Sequence, residues 1–173
     1  MPNKILVVYA SRTGSTAGVA EEIGKVLAEG DTHVDVRPME EVQDLTPYHA
    51  VVAGSAIQNK QWLPEAMQFI RTHRAALSQR PFAVFLVCIT LAMKNADQYR
   101  NSVSDFLQPV RTLVKPVSEG LFPGVLDISK VPSFGDRLKF RLSVLFGVWS
   151  EGDHRDWEAV RTWAKSLQPL LRS

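Results

Sequence analysis

The sequence predicts an α/β fold in three layers, with a five-stranded parallel sheet between two layers of helices. Three observations carry that expectation. Short apolar runs alternate along the chain with segments whose apolar residues recur at helical spacing. The runs are continuously apolar, as strands buried on both faces are. A loop of small and hydroxylic residues, "SRTGST", stands where the first run ends and the first helical pattern begins.

The elements follow in order. "KILVVYA" reads as the first strand, and after Thr16 the residues Val19, Ala20, Ile23, Val26 and Leu27 mark a helix that Gly30 stops. "HVDVRP" is a short second strand and "HAVVAGS" a third. A helix opens at Pro64, with Ala66, Phe69, Ile70 and Leu77 on one face. "FAVFLVCIT" is the fourth strand, and Tyr99, Val103, Phe106, Leu107 and Val110 mark the helix after it. "KPVSEGLF" is the fifth strand, with Pro116 near its start. Trp157, Val160, Ala164, Leu167 and Leu171 define the last helix, which Asp156 caps. Right-handed helical crossovers between such strands cover the sheet on both faces.

Composition bounds the function. The 173 residues suit one domain, 1–173, and 45% hydrophobic with 22% charged residues is ordinary for a soluble globular chain. One cysteine, Cys88, excludes an intrachain disulfide framework, and the four histidines show no metal-ligand spacing, so no metal site is expected. A reducing, cytoplasmic compartment fits. "MPNKILVVYA" shows no signal-peptide pattern, and no apolar run reaches membrane-spanning length. A formal charge of +2, with basic residues interleaved among acidic ones, argues against a nucleic-acid partner.

A doubly wound sheet gathers its ligand at the carboxyl ends of its strands. Here these ends are "SRTGST", "GSAIQNKQW" and "CITLAMKN". In the first, Ser11, Thr13, Ser15 and Thr16 supply hydroxyls, Gly14 lets the backbone turn, and the next helix aims its free amides at the same point. A phosphate monoester suits that arrangement; the alternative is a helix start that its serines and threonines merely cap. The loop has neither the Gly-Lys-Ser/Thr ending of a triphosphate-binding loop nor the spaced glycines of a dinucleotide fingerprint.

"SRTGST" resembles the Thr/Ser-x-Thr-Gly-x-Thr phosphate loop of the flavodoxin family, and the resemblance covers nearly the whole chain. It implies a flavodoxin-like three-layer sandwich with strand order 2-1-3-4-5 and one non-covalently bound FMN. By this match Ser11, Arg12, Thr13, Gly14, Ser15 and Thr16 hold the phosphate. Ser55, Ala56, Ile57, Gln58, Asn59 and Trp62 line one side of the isoalloxazine ring, and Thr90, Leu91 and Ala92 the other. Trp62 either stacks on the ring or packs on the sheet edge. Within the family the chain is most similar to the quinone-dependent protoporphyrinogen dehydrogenases. "GSAI" at Gly54–Ile57, an insertion from about Val125 to Trp149 after strand five, and "DW" at Asp156 and Trp157 carry that likeness. It departs at Gln58, where that family has arginine, and at "TLAMKN", where it has an arginine- and lysine-rich loop.

The resemblance implies an FMN-dependent oxidoreductase passing electrons to a quinone-like acceptor. The alternative is a non-enzymatic electron carrier that docks on a redox partner protein. Small carrier flavodoxins are typically acidic, and this chain is slightly basic. In the insertion, Phe134, Leu138, Leu142, Leu145, Phe146 and Trp149 form one helical stripe flanked by Arg137, Lys139 and Arg141. That pattern belongs either to a helix lying peripherally on the inner face of a membrane or to one packed on the domain edge. Cys88, inside an apolar run, is expected to be a core residue.

Overall fold

The computed structural model describes residues 3–126, 133–147 and 152–172. Five parallel strands form the sheet: β1 (Lys4–Ala10), β2 (His33–Pro38), β3 (Ala50–Gln58), β5 (Phe82–Val87) and β6 (Glu119–Phe122). A two-residue strand, β4 (Gln61–Trp62), folds back antiparallel on the end of β3. The spatial order is β2-β1-β3-β5-β6. Counting the five parallel strands alone, this is the predicted order 2-1-3-4-5.

The central strands β1, β3 and β5 bury both faces, which explains why their sequences are continuously apolar, while the edge strand β2 keeps its polar residues half-buried or exposed. Ile5 and Val7 of β1, Val52 of β3 and Phe85 of β5 pack beneath α1 (Ser15–Leu27) and α7 (Trp157–Leu170). Leu6, Val8, Val51, Val84 and Leu86 point the other way. They meet α2 (Pro64–Thr72), α3 (Arg74–Leu77), α4 (Ala96–Ser104) and α5 (Gln108–Leu113). The Asp156 carboxylate accepts a hydrogen bond from the Ala159 amide at 3.0 Å and caps α7 as expected.

Several elements differ from the sequence expectation. The helix after the fourth strand is interrupted by a 3₁₀ turn at Asp105–Leu107, because Pro109 has no amide to continue the ladder. Tyr99, assigned to its apolar stripe, is exposed. The fourth strand ends at Val87, and Ile89–Ala92 form a 3₁₀ turn. "QNKQ", expected to be loop, is a tight hairpin between β3 and β4 in which Asn59 (φ 53°) and Lys60 (φ 62°) are both left-handed. Such a turn is favoured by glycine at its second position, and Lys60→Gly is expected to raise stability by about 0.5–1 kcal/mol in denaturant titrations.

One polar cluster ties β2 to the segment before β3. The Tyr48 hydroxyl donates to Asp35 at 2.7 Å, and Lys4 Nζ lies 2.9 Å from the same carboxylate. The Tyr48 bond and then Lys4 hold the Asp35 carboxyl below its usual range, while burial and Asp35 push the Tyr48 phenol up to about 12. Tyr48→Phe should therefore cost about 1 kcal/mol at neutral pH, the low end for a charged acceptor that keeps some contact with water. Because the Asp35 pKa is depressed, its contribution is present above the ordinary carboxyl pKa and lost as pH falls through the folded value. Urea unfolding at stepped pH should show the wild-type advantage shrinking on acidification.

The insertion leaves the sheet beside β6. At its base β7 (Val125–Leu126) pairs antiparallel with β8 (Gly152–Asp153), and between them lies α6 (Phe134–Leu145). Trp149, assigned to the apolar stripe, lies outside the described residues. Among the described residues no helix is long and apolar enough to cross a membrane.

Candidate functional site

Strand register brings the three expected loops to one edge of the sheet. Ala10 at the end of β1 is level with Ser55 of β3, and Ala56 is level with Val87 at the end of β5. In the first loop Gly14 adopts φ +90°, a left-handed conformation that suits glycine, and stands at the N-terminus of α1. The Ser11 hydroxyl accepts from the Gly14 amide at 2.9 Å and closes the loop. Beyond it, the first-turn amides of Ser15, Thr16 and Ala17 have no acceptor within the helix, and no acidic residue occupies that turn. The positive end of α1 is left for an external anion.

Thr16 supplies the sharpest observation. It is fully buried, and its hydroxyl has no hydrogen-bond partner. An unsatisfied buried hydroxyl costs about 1–3 kcal/mol, so its presence at a helix start calls for a ligand acceptor. Thr13 and Gly14 are exposed at the loop tip. Arg12 turns away from the loop to form a two-pronged ion pair with Glu65 at the start of α2, one contact being Nη2 to Oε2 at 3.0 Å. That bond holds the Glu65 carboxyl below its ordinary range. Arg12, assigned to the phosphate by its place in the motif, is thus committed to a carboxylate.

A cleft of about 290 Å³ opens beside the loop between Tyr9, Ser11, Met39, Glu40 and Glu65. Gly14 and Ala17, at the start of α1, also line it, and of its two carboxylates Glu65 is already paired with Arg12.

The second loop requires a correction. Trp62 is only 3% exposed and packs in the core cluster with Leu63 and Phe69, so its ring does not stand free to stack. The cause is the hairpin: pairing Ile57 with Trp62 sets the indole on the buried side of β4. Ser55 is likewise structural. Its hydroxyl donates to the Ala56 carbonyl at 2.8 Å and accepts from the Leu63 amide at 3.0 Å, fastening the hairpin to the start of α2. Ala56 and Ile57 are half-buried and Gln58 and Asn59 exposed, so these four form the accessible edge. In the third loop Thr90 and Ala92 are accessible, while Leu91 is buried beneath them. Burial also pushes the Cys88 thiol pKa up, which suits a core residue rather than a reactive one.

Motif reading missed two neighbours of the site. Glu65 carries no signal in sequence until the hairpin brings it to Arg12. Gly124, after β6, lies against the first loop: a Cβ there would stand 3.9 Å from Ser15 Oγ and 3.0 Å from Val87 Cγ1. The insertion therefore springs from the rim of the same site. Among the described residues no cluster of His, Cys, Asp or Glu is arranged to hold a metal ion.

A family model described as a flavodoxin domain matches residues 6–153. The chain belongs to the flavodoxin domain family. Its fold is also that of solved flavodoxins. An archaeal flavodoxin superposes with a TM-score of 0.58 at 16% identity, covering 98% of this chain and 99% of that one. Oxidised flavodoxin 2 from Bacillus cereus gives 0.59 at 22%, covering 96% and 98%. At such identities the likeness concerns the flavodoxin fold alone. In sequence the chain is similar to protoporphyrinogen IX dehydrogenase [quinone] of Leishmania major, 27% identical over 177 residues, which cover 96% of this chain and 75% of that protein.

Proposed function

We propose that this flavodoxin domain binds FMN non-covalently and is an oxidoreductase of the protoporphyrinogen dehydrogenase type, working in the cytoplasm and passing electrons to a quinone-like acceptor. The observation that carries FMN binding is the buried, unpartnered Thr16 hydroxyl at an α1 N-terminus that no acidic side chain occupies. Thr13, Ser15 and Thr16, with the first-turn amides, would hold the phosphate. Ala56, Ile57, Gln58 and Asn59 would border one side of the ring and Thr90 and Ala92 the other. When bound, the flavin supplies hydride and electron transfer. The chain's part would be to bind, orient and keep water out: Ser55 pins the second loop, and Trp62 and Leu91 fill the core beneath the second and third loops with apolar volume.

The enzyme reading is supported by the likeness to the quinone-linked dehydrogenase along nearly the whole chain and by an insertion that rises at the rim of the site. A carrier reading is favoured by one observation: Gln58, Asn59, Thr90 and Ala92 carry no acid or base suited to proton transfer from a substrate, and the exposed ionisable groups of these two loops are the lysines Lys60 and Lys94. Turnover separates the two. Purified holoprotein, its released flavin identified as FMN, should oxidise protoporphyrinogen with a soluble quinone as acceptor. Failure with every donor and quinone, together with an active relay from a flavodoxin reductase, would establish the carrier.

A further inference from the structure

The helix α6 is closed at both ends by its own residues. The Ser133 hydroxyl accepts from the Asp136 amide at 3.4 Å, and Gly147 at φ +76° ends the helix with its amide on the Val144 carbonyl at 3.0 Å. Phe134, Leu138, Leu142, Leu145 and Phe146 expose 46–77% of their surface, and at 100° per residue they fall on one side of the helix. Phe140 and Val144, on the opposite side, are half-buried. The apolar stripe thus faces outward, and the domain-edge alternative, a stripe turned into the core, does not describe this helix.

Cations border the stripe. Arg137 and Arg141 lie on one shoulder and Lys139 on the other, against a single carboxylate, Asp136, on the back of the helix and 3.9 Å from Lys139. The C-terminal end of α6 adjoins the third loop, since a Cβ on Gly147 would stand 3.5 Å from Lys94 Nζ. A second copy of the chain is a poor occupant, because a twofold pairing of this face would set the basic shoulders of one copy against those of the other. A neutral apolar partner leaves the cations unused.

We propose that the outward face of α6 docks on an anionic lipid bilayer, its five apolar side chains entering the headgroup boundary and the exposed Lys139 and Arg141 meeting lipid phosphates. Docking there sets the third-loop side of the flavin site toward the membrane. That orientation deepens the quinone reading and rests on it, whereas the contact with lipid does not.

The test uses FMN-loaded protein and contains no quinone, so it can succeed or fail independently of turnover. Co-sedimentation is measured with vesicles of phosphatidylcholine and with vesicles of equal parts phosphatidylcholine and phosphatidylglycerol. The wild type is expected to partition at least tenfold better onto the anionic vesicles. Lys139→Gln with Arg141→Gln should lower that partitioning about thirtyfold, at the usual increment per cation near a membrane surface. Leu145→Ser with Phe146→Ser should abolish it while leaving flavin content and melting temperature unchanged, because these side chains are exposed. Equal partitioning onto both vesicles, none onto either, or a serine variant that binds as the wild type does would overturn the proposal. So would a concentration-dependent dimer that the serine variant dissolves, which would assign the face to a second copy.

Discussion

Replacing Thr13 and Thr16 together is expected to weaken FMN binding by about two to four orders of magnitude. Each hydroxyl donating to a charged phosphate contributes about 1.5–3 kcal/mol, and each 1.4 kcal/mol is a factor of ten. The Thr16 hydroxyl is buried without a partner, which makes a second outcome separable from the first. Thr16→Val keeps the shape and removes the unsatisfied group, so the flavin-free protein should gain about 1 kcal/mol of stability while its FMN affinity falls. Flavin fluorescence titration and thermal unfolding of the apoprotein check the two halves. Riboflavin, which lacks the phosphate, should bind wild type and variant about equally weakly. A variant that lost stability and affinity together would mean that Thr16 serves the fold and not the ligand.

The largest effect on stability is expected at Gly54. A Cβ at this position would stand 2.0 Å from Phe85 Cζ and 2.2 Å from Cε1 and Cε2. Phe85 is fully buried and packs in a triangle with Phe122 and Trp163, at centroid distances of 6.3 and 6.1 Å, so its ring has little room to move. Gly54→Ala should cost about 3 kcal/mol, at the upper end for overpacked cores, and lower the melting temperature accordingly. Because Gly54 precedes Ser55, the displacement should also loosen the second loop and reduce flavin content. Gly54→Ala combined with Phe85→Leu should recover part of the loss, since the two positions share one volume. Full additivity of the pair would contradict the clash.

The site was legible in sequence to the extent that its chemistry is local. Ser11 to Thr16 form a motif within six residues, and the features that matter there, hydroxyl type, a left-handed glycine and a following helix, are properties of neighbouring residues. The ring-side residues were less legible. The family resemblance sets Ser55 and Trp62 beside the ring, with sheet-edge packing as the alternative for Trp62, but Asn59 and Lys60 make that loop a hairpin, and its pairing turns one side chain to the backbone and the other into the core. Neither residue has glycine's preference for a left-handed turn, so the hairpin carried little signal. The Arg12–Glu65 pair joins residues far apart in the chain and depends on that same hairpin.

The sequence by itself determined the five parallel strands, the helices between them and the hydroxylic loop after the first strand, because each rests on periodicity or on residues adjacent in the chain. Strand order followed from a family resemblance, and the register agrees with it. Only the tertiary structure decided which apolar surfaces are covered. The stripe of α6 and that of α1 have similar spacing in sequence, yet Val19, Ile23 and Val26 are buried under the sheet while Phe134, Leu145 and Phe146 stand in solvent. Spacing records which residues share a face of a helix; whether another element lies against that face depends on where the rest of the chain has gone. For α6 the chain passes from β6 over the rim of the first loop and returns through the β7–β8 ladder, which leaves the helix outside the layers that cover the sheet.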